Sequence, residues 1–490
     1  KVCLANCILA IGLLISWSQN STLASGVNRA RPNIVYILAD DLGIGDVRAF
    51  NPRGKISTPM MDRLAAEGMR FTRAMSSNPV CSPTRATYLT GLMPSQHGLH
   101  SFLDNKYMMG PEAYYTLEEF ETLPEILHSE GYICGLSGKW HLGASGTPQK
   151  SHTFWCAHSL GGDSYTNYFI FDNSPGMTCQ KQYVTDLFTN RAIDFLDEYG
   201  QNENPFCLSV HYTAPHAPWR QEEQPPEIWN LYNNVAFESL PVLPPHPWGG
   251  WNPTPENRRQ TLQGYFTTIT AMDAAIARIM DKLESLGIAE DTLVFFTSDN
   301  GYNMGHHGIT GKGNGTFPLN MYEESVKVPF IAYCPGRIPS GVINMDLLSH
   351  YDFMPTILDY LDMEVPVDLT LPGRSFAELL HGVGNSGHQS VVIYDEYGPT
   401  RMIREQNWKY VHRYPEGPHE LYCLADDPEE QSNLVNTPEH NETLKRMRGD
   451  LDAWFDQYVL GAFDGTKYPV TGKGQVDAIR LNPTEKAVFV

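Results

Sequence analysis

The chain has 490 residues, 41% hydrophobic and 11% aromatic, with no collagen-like or low-complexity bias; that exceeds what one core usually supports, so a large domain with a smaller companion is expected. The formal net charge of −21 argues against nucleic acid and against anionic membrane surfaces as partners. An anionic substrate would therefore need a site with its own local positive field, built from a metal ion and a few Lys, Arg and His.

Residues 1–25 read as a secretory signal. Lys1 supplies the positive start, residues 8–15 an apolar core, and Thr22-Leu23-Ala24 a small-residue cleavage site. That core is too short to span a bilayer and no later run is long enough. The expectation is a secreted or periplasmic protein with no stable membrane association. Beyond the signal stand seven cysteines: Cys81, Cys134, Cys156, Cys179, Cys207, Cys334 and Cys423. An odd count in an exported chain means at least one free or chemically used thiol. Cys156 and Cys179 are candidates for a pair across a loop.

Residues 33–39 form a continuous apolar run, as expected of a strand buried on both faces of a parallel sheet, and the run ends in Asp40-Asp41. Residues 292–298 repeat the pattern and end in Asp299-Asn300-Gly301. A shorter run at 132–137 ends in Gly138-Lys139-Trp140-His141, and one at 206–210 leads into His211 and His216. Amphipathic helices are expected at 59–68, 123–130, 184–199, 257–286 and 352–361. This alternation predicts an α/β fold, a doubly wound, mostly parallel sheet flanked by helices. The segment 213–255, crowded with Pro and Trp, reads as a long surface insertion. After a Gly-rich break at 382–387, short strands at 391–394, 401–404, 409–413 and 419–423 and a helix at 438–458 predict a smaller C-terminal α+β domain on an antiparallel sheet. The expected division is 26–384 for a catalytic domain and 385–490 for that subdomain.

In open α/β sheets ligands bind beyond the carboxyl ends of the strands, so four strands that end in polar residues predict one site. Asp40, Asp41, Asp299 and Asn300 offer only oxygen, which suits Ca²⁺ or Mg²⁺ over zinc, and an all-protein cage favours Ca²⁺. Either pair alone would also suit a turn. Cys81-Ser82-Pro83-Thr84-Arg85 reads as a helix start with Ser82 as N-cap and Pro83 at the first helical position. Cys81 at that positive helix end suggests a thiolate of lowered pKa; a buried structural cysteine or half of a disulfide are the alternatives.

Cys81-x-Pro83-x-Arg85 followed by Ala86-Thr87-Tyr88-Leu89-Thr90-Gly91 resembles the signature of the formylglycine-dependent sulfatases. Gly131-Tyr132 through Gly138-Lys139-Trp140-His141 resembles their second signature, with Cys134 where Ser or Thr is usual. Asp40-Asp41-Leu42-Gly43-x-Gly45-Asp46 and the stretch from Ser298-Asp299-Asn300-Gly301 through Lys312 to Val328-Pro329 are also similar. The resemblance implies that a maturation enzyme oxidises Cys81 to formylglycine, whose hydrate binds Ca²⁺ beside Asp40, Asp41, Asp299 and Asn300 and attacks sulfur. A sulfated covalent intermediate then expels sulfate. By matching position, Arg85 and Lys139 would orient the hydrate and, with Lys312, neutralise sulfate oxygens. His141 would be the base for sulfate elimination, and His216 the acid for the leaving alcohol, shared with Lys312.

The substrate implied is a sulfated small molecule or carbohydrate. Trp155, Tyr165, Tyr168, Trp219, Trp229, Trp248 and Trp251 are candidate platforms for sugar rings. Rival readings are a phosphoester or phosphonate-ester hydrolase of the same superfamily, a non-catalytic binder of sulfated glycans, and a thiol hydrolase using Cys81 directly.

Overall fold

A computed structural model describes residues 31–173, 176–366, 369–394, 397–480 and 488–489; the expected signal at 1–25 lies outside them. The first apolar run is β1 (Asn33–Asp40), buried along its whole length. Its side chains alternate between two cores. Val35, Ile37 and Ala39 join the helices Val184–Tyr199 and Pro255–Ser285. Ile34, Tyr36 and Leu38 join the helices Cys81–Thr90, Leu123–Ser129 and Phe353–Tyr360. Because both faces are covered, the run carries no polar alternation.

Around β1 lie β2 (Met69–Met75), β3 (Ile133–Lys139), β4 (His152–His158), β5 (Tyr168–Asp172), β6 (Met177–Gln180), β7 (Phe206–Pro215), β8 (Thr292–Ser298), β9 (Lys327–Tyr333) and β10 (Val342–Asn344). With the short strand Leu348–Ser349 on β2 they make an eleven-stranded sheet, in the order β10-β2-β9-β8-β1-β7-β3-β4-β5-β6. The block β8-β1-β7-β3-β4 is parallel; β9 runs against β8 and β2, and β5 and β6 reverse direction at the far edge. The doubly wound, mostly parallel sheet expected from the sequence is present. Parallel neighbours end on one side, so the carboxyl ends of β8, β1, β7 and β3 stand in a row.

The expected helices form within about two residues of their limits. The longest, Pro255–Ser285, starts where it does because Pro255 suits a first helical position and the Thr254 hydroxyl accepts from the Asn257 N–H at 3.2 Å.

Three local expectations need correction. β7 runs five residues past Val210, because after an irregularity Asp40 pairs with Pro215 and the strand continues. The segment 213–255 is not only a surface insertion: Tyr232, Phe237 and Leu240 are buried in the first core, and the first two set their rings edge-on against Phe266. Short turns rather than long elements deliver these side chains, so no periodicity marks them. Cys156 and Cys179 are both free thiols. They stand on β4 and β6 with β5 between, roughly 9–10 Å apart by strand spacing alone, beyond the reach of a disulfide.

The C-terminal part is an antiparallel meander of β11 (Ser390–Tyr394), β12 (Thr400–Glu405), β13 (Trp408–Arg413) and β14 (Glu420–Cys423). Val392, Tyr394, Ile403 and Tyr410 pack on Met447, Leu451 and Phe455 of the helix Asn441–Tyr458. The opposite face, with Val391, Ile393, Met402 and Val411, packs on Met75, Met321, Val326 and Leu347 of the larger sheet region.

Candidate active site

The row of strand ends brings together residues that are far apart in sequence. β1 ends in Asp40 and turns at once through Asp41, whose φ of 67° is left-handed. β8 delivers Asp299 and Asn300, β3 delivers Lys139 and, after Trp140, His141 (φ 55°), and β7 delivers His216. Left-handed conformation in non-glycine residues costs on the order of 1–3 kcal/mol and persists where surrounding structure enforces it. Lys312 enters from the loop after β8. Cys81 begins the helix Cys81–Thr90, and Arg85 lies one turn further on.

These groups form one buried network. The Arg85 guanidinium donates to Asp299 Oδ2 at 2.9 Å and to the Lys139 carbonyl at 2.9 Å. Lys139 Nζ donates to Asp40 Oδ2 and Lys312 Nζ to Asp41 Oδ1. Cys81 Sγ is 3.4 Å from Asp40 Oδ1 and 2.9 Å from Lys312 Nζ. His216 Nε2 is 3.6 Å from Asp41 Oδ2. Asn300 Nδ2 donates to Asp41 Oδ1 at 2.8 Å, while its Oδ1 is buried without a partner. Asp40, Asp41 and Asp299 can bring one oxygen each within 4.8 Å of one another. Three clustered carboxylates and an unpartnered amide oxygen are a donor set for a hard divalent cation.

Burial raises the carboxyl of Asp40, against the pull of Lys139. Burial also pushes Asp41 upward, but Lys312 and His216 together outweigh it and hold the group below the usual carboxylate range. Asp299 is lowered likewise: Arg85, Lys139 and Lys312 overcome its burial. His141 is held well below its ordinary value by burial and by the cations of Lys139 and Arg85, so it is neutral at physiological pH. Its Nε2 sits 3.2 Å from the Leu103 carbonyl and its Nδ1 is buried without a partner. Donation from Nε2 to that carbonyl leaves the lone pair on Nδ1.

Two expectations at Cys81 are overturned. The N-cap is Val80, not Ser82; Ser82 lies inside the first turn, where its hydroxyl accepts from the Leu103 N–H at 3.1 Å. The thiol is also not acidified: burial, then the negative charge of Asp40, pushes its pKa up to about 12, outweighing the lysines. A helix start lowers a thiol's pKa only when desolvation does not dominate.

A cavity of about 560 Å³ opens over Cys81, Asp41, His141, His216 and Lys312. Part of its wall had no signal in the sequence reading: residues 102–105, Gly161, Gly162, Tyr302 and Asn314. The Gly161-Gly162 doublet was the one available clue. A Cβ on Gly161 would lie 2.3 Å from His141 Nε2, so the His141 imidazole sits here against glycine; one on Gly162 would lie 3.1 Å from the His216 ring, a tight contact. The expected aromatic platforms do not line this cavity. Trp155, Tyr165, Tyr168 and Trp229 are core residues, and Trp219, Trp248 and Trp251 are half-buried elsewhere. Phe102 and Tyr302 are the aromatic rings on its wall.

The sulfatase family model matches residues 32–363, and a model described as N-sulphoglucosamine sulphohydrolase, C-terminal, matches residues 316–457. The chain is 26% identical over 506 residues to the N-acetylglucosamine-6-O-sulfatase of Bacteroides thetaiotaomicron, covering 87% of each chain. It is 29% identical over 465 residues to the ulvan-active sulfatase of Formosa agariphila, covering 91% of this chain and 84% of that one. To arylsulfatase A of Bos taurus it is 29% identical over 491 residues, covering 90% and 91%. A solved structure in complex with its substrate, D-glucosamine-2-N,6-O-disulfate, superposes with a TM-score of 0.73 at 24% identity, covering 87% of this chain and 98% of that chain. With a family model spanning most of the chain, and relatives matched almost end to end, the chain belongs to the sulfatase family of the alkaline phosphatase superfamily and is a sulfuric ester hydrolase.

Proposed function

We propose that the enzyme removes sulfate from a sulfated carbohydrate, using formylglycine made from Cys81 and one Ca²⁺ held by Asp40, Asp41, Asp299 and Asn300. The donor set fits that ion: three buried carboxylates and a buried amide oxygen with no other partner. When present, the two groups supply a nucleophilic hydroxyl for attack on sulfur, made acidic enough by the metal to act near neutral pH.

The chain's own residues do the rest. With the carboxylates engaged by a cation, Lys139 and Lys312 are left to face the sulfate oxygens. Arg85, tied to both Asp299 and the Lys139 carbonyl, fixes the geometry between metal ligands and lysine. Neutral His141, with its free Nδ1, takes the proton whose removal expels sulfate. His216, on the cavity wall with Nε2 toward Asp41, protonates the departing alcohol. The carbohydrate is supported by the glycan-directed names of the relatives.

Cys81 is 3% and Arg85 1% exposed, and Pro83 is buried between them, so a maturation enzyme reads the pentapeptide before the chain folds. We place the catalytic domain at 26–384 and the subdomain at 385–490, and assign the protein to the secreted or periplasmic space. No helix among the described residues is long and apolar enough to cross a membrane.

The observation that carries this reading is the Cys81 sulfur between Asp40 and Lys312 at the floor of the cavity. The test is the mass of the tryptic peptide 74–85 from protein produced with a maturation enzyme. Replacement of sulfur by oxygen with loss of two hydrogens is expected. An unmodified thiol, with the maturation enzyme active on a control peptide, would sink it.

A further inference from the structure

One wall of the cavity enters the chemistry above only through the Leu103 carbonyl that meets His141, and it carries a charge. Residues 102–105 form it, and they are tied down from three sides. The Leu103 N–H donates to the Ser82 hydroxyl and its carbonyl meets His141 Nε2. The Asp104 N–H donates to the Gln475 carbonyl at 2.9 Å, and the Gln475 N–H donates to the Phe102 carbonyl at 2.8 Å. The side chain of Gln475, fully buried, accepts from the His100 and Ser101 N–H groups and donates to the Gly98 carbonyl. On the last side, Asn105 Oδ1 accepts from the Gly161 N–H at 3.1 Å. These contacts place Asp104 on the wall, where its Oδ1 accepts from the Lys106 N–H at 2.8 Å.

The cation nearest it in sequence, Lys106, feels its charge but stands off the cavity lining. Among the described residues, Lys312 is the only Lys or Arg on the lining, and it is engaged by Asp41. Lys106 is not on the wall; its ammonium lies over the Tyr107 ring, 4.9 Å from the centroid. With the proposed cation bound, the cavity is cationic at the sulfate end, while its wall at Asp104 is anionic.

We infer that Asp104 is a specificity-determining residue that selects a sulfated sugar bearing hydroxyls or a protonated amine next to the scissile ester and rejects one carrying a second anionic group there. This rests on the sulfatase reading above. A carboxylate accepts from hydroxyl and ammonium groups and repels sulfate or carboxylate, and such like-charge contacts are strongly unfavourable at a partly desolvated wall.

The test uses the matured full chain with three sugars that share one scissile ester: glucosamine 6-sulfate, N-acetylglucosamine 6-sulfate and glucosamine 2-N,6-O-disulfate. Loss of the 6-sulfate is followed by mass spectrometry, with p-nitrophenyl sulfate as the control for hydrolase activity. Wild type is expected to prefer the amine over the disulfate in kcat/KM, and Asp104→Asn to shrink that ratio by on the order of tenfold. Asn caps a turn about as well as Asp, so the wall is retained. If only p-nitrophenyl sulfate turns over, the three sugars are read as its competitive inhibitors, with the same ranking expected. A wild type that takes the disulfate as well as the amine, or a ratio unchanged in Asp104→Asn, overturns the inference while leaving the hydrolase intact. Sulfate release from none of the four sinks the hydrolase reading itself, and this inference with it.

Discussion

Among the described residues, two dense clusters of buried charge invite comparison, and the one at the strand ends opens on a cavity. At the strand ends, Asp40, Asp41 and Asp299 face Arg85, Lys139 and Lys312. Where the meander meets the larger sheet, Glu323 faces Arg404 at 3.4 Å and Lys409 at 3.3 Å, and Glu430 sits 2.7 Å from Lys409 while accepting from the Glu323 N–H. Both clusters are balanced by their own cations. In each, a carboxylate is held well below its usual range because cations overcome burial: Arg85, Lys139 and Lys312 at Asp299, and Lys409, Arg404 and Lys327 at Glu323. Burial, pairing and shifted pKa values therefore do not distinguish a site from a structural joint. The first cluster differs in Asn300 Oδ1 and His141 Nδ1, acceptors with neither a hydrogen bond nor an ion pair, and in its open space; left-handed backbone occurs in both, at Asp41 and His141 in the first and at Glu430 in the second. The second is sealed and joins the meander to the rest of the molecule.

The largest separation is expected from Cys81→Ala. Sulfate release should fall by on the order of 10⁴-fold or more while the near-ultraviolet dichroism of the fold persists. A variant retaining a tenth of wild-type turnover would put the nucleophile elsewhere.

Next, Asp299→Ala and Glu323→Ala form a matched pair. Each strands buried cations, and each should cost about 3–5 kcal/mol in denaturant unfolding. Turnover per folded molecule should vanish in the first and stay within about threefold of wild type in the second. Calcium added after chelation should restore activity and raise the melting temperature of wild type and Glu323→Ala, since a ligand at 100 times its Kd stabilises by about 2.7 kcal/mol. No such rise is expected in Asp299→Ala.

Gly161→Ala sharpens the contrast within the site. Its methyl group would meet His141 Nε2, so kcat should fall by about 10–100-fold, with KM changed far less. An unaltered kcat would remove His141 from the proton transfer. The smallest effect is expected from Gln475→Ala, which removes three hydrogen bonds to the loop 98–101. Stability should drop by about 1–3 kcal/mol and kcat/KM severalfold, because the wall loosens but the buried cluster stays.

How legible each part was follows from its physics. β1 and β8 were readable because a strand covered on both faces is mostly apolar and turns charged only at its end, at Asp40 and Asp299. The C-terminal strands were readable for a related reason: Val391 and Val392 must serve opposite faces, both of them covered. Residues 102–105 were not readable. They belong to no long element, and their position depends on hydrogen bonds with Ser82, His141 and Gln475, the last more than 370 residues away. Of the seven proposed sugar platforms, Trp155, Tyr165, Tyr168 and Trp229 are buried and none of the seven lines the cavity, because an aromatic ring looks the same in sequence whether it faces a core or a cavity.

By itself the sequence determined the α/β class and the membership of Cys81, Arg85, Lys139, His141, Asp299 and Lys312 in one set of motifs, since buried strands and short signatures are local properties. Only the tertiary structure decided the state of those groups. It raised the Cys81 thiol through burial where a helix start alone predicts the opposite, left Asn300 Oδ1 and His141 Nδ1 without partners, and set Asp104 on the cavity wall. Desolvation and charge pairing depend on what the chain brings together from afar, and no window of sequence contains that.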